Sequence, residues 1–171
     1  MKVKAKILRL LGITGALFFI FTRVQAVTLT PVGYWQQISD TTNKIHSIVQ
    51  IWEENNQLKG KVVRGFGQNG QPPKEFCTNC PTQFNNQPIV GMTIMWGMQY
   101  NPNHSRWEGG QILDPDTGNI YKANMTLING GQRLSLRGYI GIPLLGRSQT
   151  WLRIPPNQVK QELSKNWQPQ D

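Results

Sequence analysis

Two histidines and two cysteines are all that the 171-residue chain offers of the side chains most often used for metal binding and nucleophilic chemistry. No G-x-S-x-G string occurs, so the strained elbow that presents a serine nucleophile in one large hydrolase class has no counterpart. A closed zinc site needs about four ligands, and His46 and His104 fall in separate turn regions. Acidic residues are few, 9 against 18 Lys and Arg. Paired carboxylates would have to come from Glu108, Asp114 and Asp116, and the last two sit in a turn where Asp bonds its own backbone. No catalytic residue, metal or cofactor is therefore expected. Alanine is scarce, and no internal repeat or low-complexity tract is present. Scarce alanine, beside plentiful Gly, Asn, Pro and aromatic residues, speaks for strands and tight turns over helices.

The first 26 residues lack any acid, yet carry Lys2, Lys4, Lys6, Arg9 and Arg23. An apolar run from Leu10 to Phe21 follows the charged start, and Val24-Gln25-Ala26 ends it with residues that a signal peptidase reads. The run is too short to cross about 30 Å of hydrocarbon comfortably. Residues 1–26 are expected to be a cleaved signal peptide, with the mature chain starting at Val27. No cysteine near residue 26 offers a lipoprotein anchor, so no stable membrane anchor is expected after processing. Cleavage leaves 13 Lys and Arg against 9 acids, a formal charge of +4 in place of +9. Those cations are scattered, with no basic stripe and no reader motif, which argues against nucleic-acid binding.

The remaining 145 residues suffice for one core and one domain, placed at 27–155, followed by a tail at 156–171. Short β-rich runs alternate with turn signals throughout. Gly33–Ile38 opens, Ser47–Trp52 follows, and Asn55-Asn56 is a pair that tolerates the positive φ of a tight hairpin. In the next run Leu58, Gly60 and Val62 share one face and Lys59 and Lys61 the other. A long irregular segment, roughly 65–88, holds Pro72-Pro73 and both cysteines. Then come 91–100, 106–113, 121–128, 133–140 and 147–154, separated by turns such as Asp114-Pro115-Asp116-Thr117-Gly118 and Asn129-Gly130-Gly131. About eight consecutive strands with short turns predict an all-β, antiparallel up-and-down barrel, which removes its own edges by closing. Pro155-Pro156 stops the last strand. Beyond it the sequence allows either a frayed tail or a short helix capped by Asn157, with Val159, Leu163 and Trp167 on one stripe.

Gly33-x-Trp35 at the head of the first strand resembles the lipocalin signature. The resemblance implies that Trp35 plugs a closed end of the barrel and that a cation from the last strand, here Arg153, lies across its ring. Longer strings resemble the exported bacterial proteins of the domain-of-unknown-function family numbered 2147. They are Gly33-Tyr34-Trp35, Cys77-x-x-Cys80-Pro81, Pro88-Ile89-Val90-Gly91-Met92, Trp107 to Pro115, Gly118-x-x-Tyr121, Arg137 to Gly141 and Leu145 to Trp151. The resemblance runs from Pro31 to Arg153 and implies a lipocalin-like barrel exported to the periplasm. It implies no activity and assigns no catalytic residue.

Cys77-Thr78-Asn79-Cys80 has the spacing of a redox motif or of half a zinc site, but neither a βαβ unit nor further ligands accompany it. A disulfide that pins the long loop is the expected state in an oxidising compartment. The last hairpin carries Arg137, Tyr139, Arg147, Gln149, Trp151 and Arg153 at period two. If these face inward, the lumen is polar and cationic, suited to an anionic or hydroxylated ligand. The alternative face, Leu134, Leu136, Leu152 and Ile154, alternates equally well, and periodicity does not choose between them. On the inward reading Trp96 and Trp151 form apolar walls, and Glu108 is a charge partner for Arg137 and Arg147. The leading expectation is an exported, non-catalytic lipocalin-like protein that binds an unidentified small molecule in its barrel. The alternatives are a structural or interaction protein of the envelope with a filled barrel and no ligand, and an enzyme with unrecognised chemistry.

Overall fold

A computed structural model describes residues 29–166. The expected signal peptide, the start at Val27 and Trp167 lie outside the described residues. Eight strands follow in chain order: β1 Gly33–Ile38, β2 Ile45–Glu54, β3 Gln57–Gly65, β4 Thr93–Asn101, β5 Arg106–Leu113, β6 Ile120–Ile128, β7 Arg133–Tyr139 and β8 Arg147–Ile154. Each pairs antiparallel with the next, and β8 returns to β1 to close the barrel. Turn chemistry explains the meander. Asn55 and Asn56 both take positive φ between β2 and β3, and Asn129, Gly130 and Gly131 do the same between β6 and β7. The lipocalin-like, all-β fold expected from the sequence is the fold observed.

One end of the barrel is plugged. Trp35 is fully buried and its Nε1 donates to the carbonyl of Pro31 at 2.7 Å. The Arg153 guanidinium lies 4.2 Å over the Trp35 ring. It also donates to the carbonyls of Gly131, Val32 and Thr30 at 2.6, 3.0 and 2.6 Å. One side chain thereby ties the segment entering β1 to the β6–β7 turn. Gly33 is required here: its φ is +136°, and a Cβ on it would lie 3.1 Å from Arg153 Nη1. Above this plug Val49, Ile51, Leu58, Met95, Met98, Met125, Leu134 and Trp151 fill the closed half of the barrel.

The tail forms a short 3₁₀ turn, Pro156–Gln158, and one helix, α1, Val159–Ser164. Asn157 falls inside the 3₁₀ turn and caps nothing; Gln158 flanks α1 without a side-chain cap bond. Polar bonds hold the helix to the outer wall, and Val159 and Leu163 of the expected apolar stripe are half-buried. Its buried residue is Glu162, whose carboxylate accepts from Gln36 Nε2 at 2.9 Å and from Lys165, while Arg64 Nη1 donates to the Leu163 carbonyl at 2.7 Å.

The long β3–β4 segment is stapled by the Cys77–Cys80 disulfide. Cys77 is fully buried in the core cluster. The stapled loop presses on the β5–β6 turn so closely that a Cβ at Gly118 would lie 1.9 Å from the Asn79 carbonyl oxygen. Gly118 also has a φ of +77°, so only glycine suits the position.

Candidate functional site

The opposite end of the barrel is open to a cavity of about 630 Å³, bounded by the β1–β2, β3–β4, β5–β6 and β7–β8 connections. Buried apolar side chains make its floor: Val62, Ile89, Ile94, Leu113 and Leu136. Tyr121 adds aromatic surface, and Gln37, Ser47 and Gln149 add polar groups. Few precisely placed polar groups over apolar walls are what a small-molecule pocket consists of.

Those polar groups form a chain along the lumen wall from β2 through β1 to β8. Ser47 Oγ donates to Gln37 Oε1 at 2.6 Å, and Gln37 Nε2 donates to Gln149 Oε1 at 3.1 Å. Trp151 Nε1, from a fully buried ring, donates to the same Gln149 oxygen at 3.2 Å. Buried polar atoms need such partners. Gln149 Oε1 is thus used twice, whereas its amide nitrogen has no partner among the described residues and is not sealed from the cavity. It is an available donor inside the lumen.

Two ion pairs frame the mouth. His46 Nε2 lies 3.2 Å from Asp116 Oδ2, joining the start of β2 to the β5–β6 turn. The hydrogen bond to Asp116 raises the His46 pKa above its ordinary value, against the opposing effect of burial. The same bond lowers that of Asp116. Arg147 Nη2 lies 2.5 Å from Asp40 Oδ2, joining β8 to the β1–β2 turn. Asp116 is the side-chain partner of His46 among the described residues. Among the described residues no group of three or more His, Cys, Asp and Glu is arranged to hold a metal ion.

The structure divides the residues of the last hairpin. Leu134 pairs with Trp151, Leu136 with Gln149 and Gly138 with Arg147, so these six share the lumenal face. Arg137 pairs with Ser148 on the outer face, where its guanidinium bonds Ser148 and the carbonyls of Pro143 and Leu144. The proposed lumenal Arg137 is therefore corrected: it anchors the β7–β8 loop from outside. Leu152 shares the outer face, so neither of the two periodic sets forms the interior alone. Tyr139 is corrected in the same way: it pairs with Lys122 in the row of Trp96 on the outer face and touches the cavity only at its rim, beside Arg147, while Gln149 lines the wall and Trp151 lies beneath the cavity as core.

Trp96 is also corrected. The register Trp96–Gln111–Lys122 puts it on the outer face, where it stacks on Phe84 at 5.8 Å and bonds Gln111. Glu108 sits at the plugged end, bonded to Asn101, His104 and Arg106. Hydrogen bonds from His104 and Arg106 lower its pKa to about 2. It cannot serve either arginine at the mouth. Sequence reasoning missed Gln37, His46, Ser47, Asp116 and Tyr121. Gln37 near the end of β1 opposite Ser47 on β2, with Ser39 just beyond the strand, was the one signal available for a wet lumen. His46 and Asp116 meet only through tertiary structure.

A closed eight-stranded meander, plugged by Trp35 and Arg153 at one end and hollow at the other, defines a lipocalin-like barrel. The chain belongs to the family described as uncharacterized protein conserved in bacteria, DUF2147, which matches residues 33–153. Its fold is similar to a solved structure described as protein HP1028 from the human pathogen Helicobacter pylori, of the lipocalin family. The TM-score is 0.66 at 19% identity, covering 82% of this chain and 94% of that one. No curated protein matches the chain.

Proposed function

We propose that the protein is an exported, non-catalytic carrier that holds a small amphiphilic molecule in the open half of its barrel. The cavity of about 630 Å³ is the observation that carries this reading. It falls within the range of small-molecule sites, roughly 300–1,000 Å³. The apolar floor suits a hydrocarbon or ring body, and the Gln149 amide and Tyr121 suit a polar head. The mouth cations do not demand an anion, because His46 and Arg147 already face Asp116 and Asp40. A neutral, hydroxylated or carbonyl head is favoured over the cationic-pocket expectation. A hollow lumen also weighs against a filled barrel with a purely structural role.

Export to the periplasm is part of the proposal and rests on the charged, apolar and V-x-A pattern of residues 1–26. Native mass spectrometry of protein recovered from the exporting cell tests both parts. The polypeptide is expected to begin at Val27 and to carry a non-covalent adduct that organic extraction removes. A polypeptide retaining its apolar leader contradicts export, and an adduct-free protein before any extraction contradicts the carrier reading.

A further inference from the structure

Between Asp116 and Glu162 the chain has no acidic residue, yet it carries Lys122, Arg133, Arg137, Arg147, Arg153 and Lys160. This stretch folds into β6, β7 and β8, so one side of the barrel is cationic. Lys122, Arg137 and Arg147 belong to its open end, where Lys122 pairs with Tyr139 and Gly138 with Arg147. The hairpin tip between them exposes four large apolar side chains: Ile140, Ile142, Leu144 and Leu145 are 70, 56, 82 and 78% exposed. The loop backbone is pinned with these side chains out. Arg137 Nε donates to the Pro143 carbonyl at 2.7 Å and Nη2 to the Leu144 carbonyl at 3.1 Å, while Gly146 N donates to Pro143 O at 3.0 Å.

Contiguous exposed apolar surface marks contact with a protein or a membrane. Two features favour the membrane. The apolar groups sit on a narrow hairpin tip, a shape that enters a headgroup layer. The flanking charges are net positive, Lys122, Arg137 and Arg147 against Asp40, and so complementary to anionic lipid. Among the described residues the one carboxylate bonded to this set is Asp40, paired with Arg147, and the acids of the β5–β6 turn face His46 and Lys74. We infer that the β7–β8 hairpin docks the open end of the barrel on an anionic phospholipid surface. Ile140 and Leu145 also line the cavity, so the docked barrel has an apolar wall from bilayer to lumen. If the carrier reading above holds, on which this clause rests, the ligand class is a single-chain amphiphile taken from that bilayer.

Vesicle flotation tests the docking, with phosphatidylglycerol–phosphatidylethanolamine vesicles compared against pure phosphatidylcholine. All variants are checked by mass to share one N-terminus. The parent is expected to float with the anionic vesicles and to lose binding in high salt. The Ile142→Ser/Leu144→Ser variant should bind on the order of tenfold more weakly, and Lys122→Glu severalfold more weakly. These side chains are exposed, so near-UV circular dichroism should show the barrel intact in each. A parent that does not float, or a double serine variant that floats like it, overturns the inference. So does a parent dimer abolished by the double substitution without any flotation, which assigns the hairpin to a second copy. Flotation by a protein whose cavity takes no ligand supports docking while contradicting the carrier reading.

Discussion

Arg153 and Trp35 are cross-strand partners between β8 and β1, and the guanidinium of the one covers the indole of the other at 4.2 Å. The contact closes the barrel twice over: through the ladder that joins last strand to first, and through the bonds Arg153 makes to the Thr30, Val32 and Gly131 carbonyls. Burial lowers the Arg153 pKa from its ordinary value, and an arginine guanidinium stays charged in proteins.

Truncating each partner should cost different amounts. Trp35→Ala removes a fully buried aromatic and is expected to cost about 3–5 kcal/mol. Arg153→Ala loses the stacking and leaves three carbonyls to water, an expected cost of about 1–3 kcal/mol. Arg153→Lys should recover little, because an ammonium cannot fork among three acceptors over a ring. Urea denaturation of the three variants checks the order; an Arg153→Ala midpoint equal to that of the parent contradicts it.

The His46–Asp116 bridge predicts a pH dependence with a definite sign. His46 titrates higher folded than unfolded, so its stabilisation is complete below about pH 6.5 and is lost as pH rises through the raised folded pKa. Asp116 titrates lower folded than unfolded, so its share is present above about pH 4 and is lost on acidification. The bridge is therefore strongest between these limits. The thermal-midpoint gap between the parent and Asp116→Asn should be widest near pH 5 and narrow toward pH 8. A gap that widens as pH rises would reverse the assignment.

The disulfide loop and the β5–β6 turn should fail together. Gly118→Ala places a methyl where the Asn79 carbonyl lies and strains a φ of +77°. The expected cost is at least about 2 kcal/mol. Replacing Cys77 and Cys80 by Ser opens only a four-residue staple, whose sequence separation is 3, and should cost about 1–3 kcal/mol with the barrel retained. Hydrogen exchange should show the 114–118 turn loosened in both variants; an unaffected turn in Gly118→Ala contradicts the packing.

How much of this was legible beforehand follows from where the information lies. Strand positions were legible because local turn chemistry sets them: β1, β5 and β8 span the residues expected, and Asn55-Asn56 and Asn129-Gly130-Gly131 turn as their φ tolerance requires. The plug was legible as a resemblance, since Gly33-x-Trp35 is local and Arg153 ends a strand. The lumen was not. Odd-numbered residues of β7 lie opposite even-numbered residues of β8, so Arg137 and Gln149 share a period in sequence but occupy opposite faces. That register depends on the β7–β8 connection, which periodicity within either strand does not encode. Trp96 went to the outer face through the same kind of register choice. His46 and Asp116 read as turn residues because their meeting depends on closure of the whole barrel.

The central claim is that the open half of the barrel admits a small amphiphile. Fluorescence titration with 1-anilinonaphthalene-8-sulfonate, an aromatic amphiphile, tests it most directly when parent, Leu136→Trp and Ile142→Ser/Leu144→Ser are compared. Leu136 lines the cavity, whereas Ile142 and Leu144 do not. The account predicts one saturable site in the parent, binding on the order of tenfold weaker once the tryptophan occupies the cavity, and little change in the serine variant. Equal binding by parent and Leu136→Trp, both folded by near-UV circular dichroism, would contradict it.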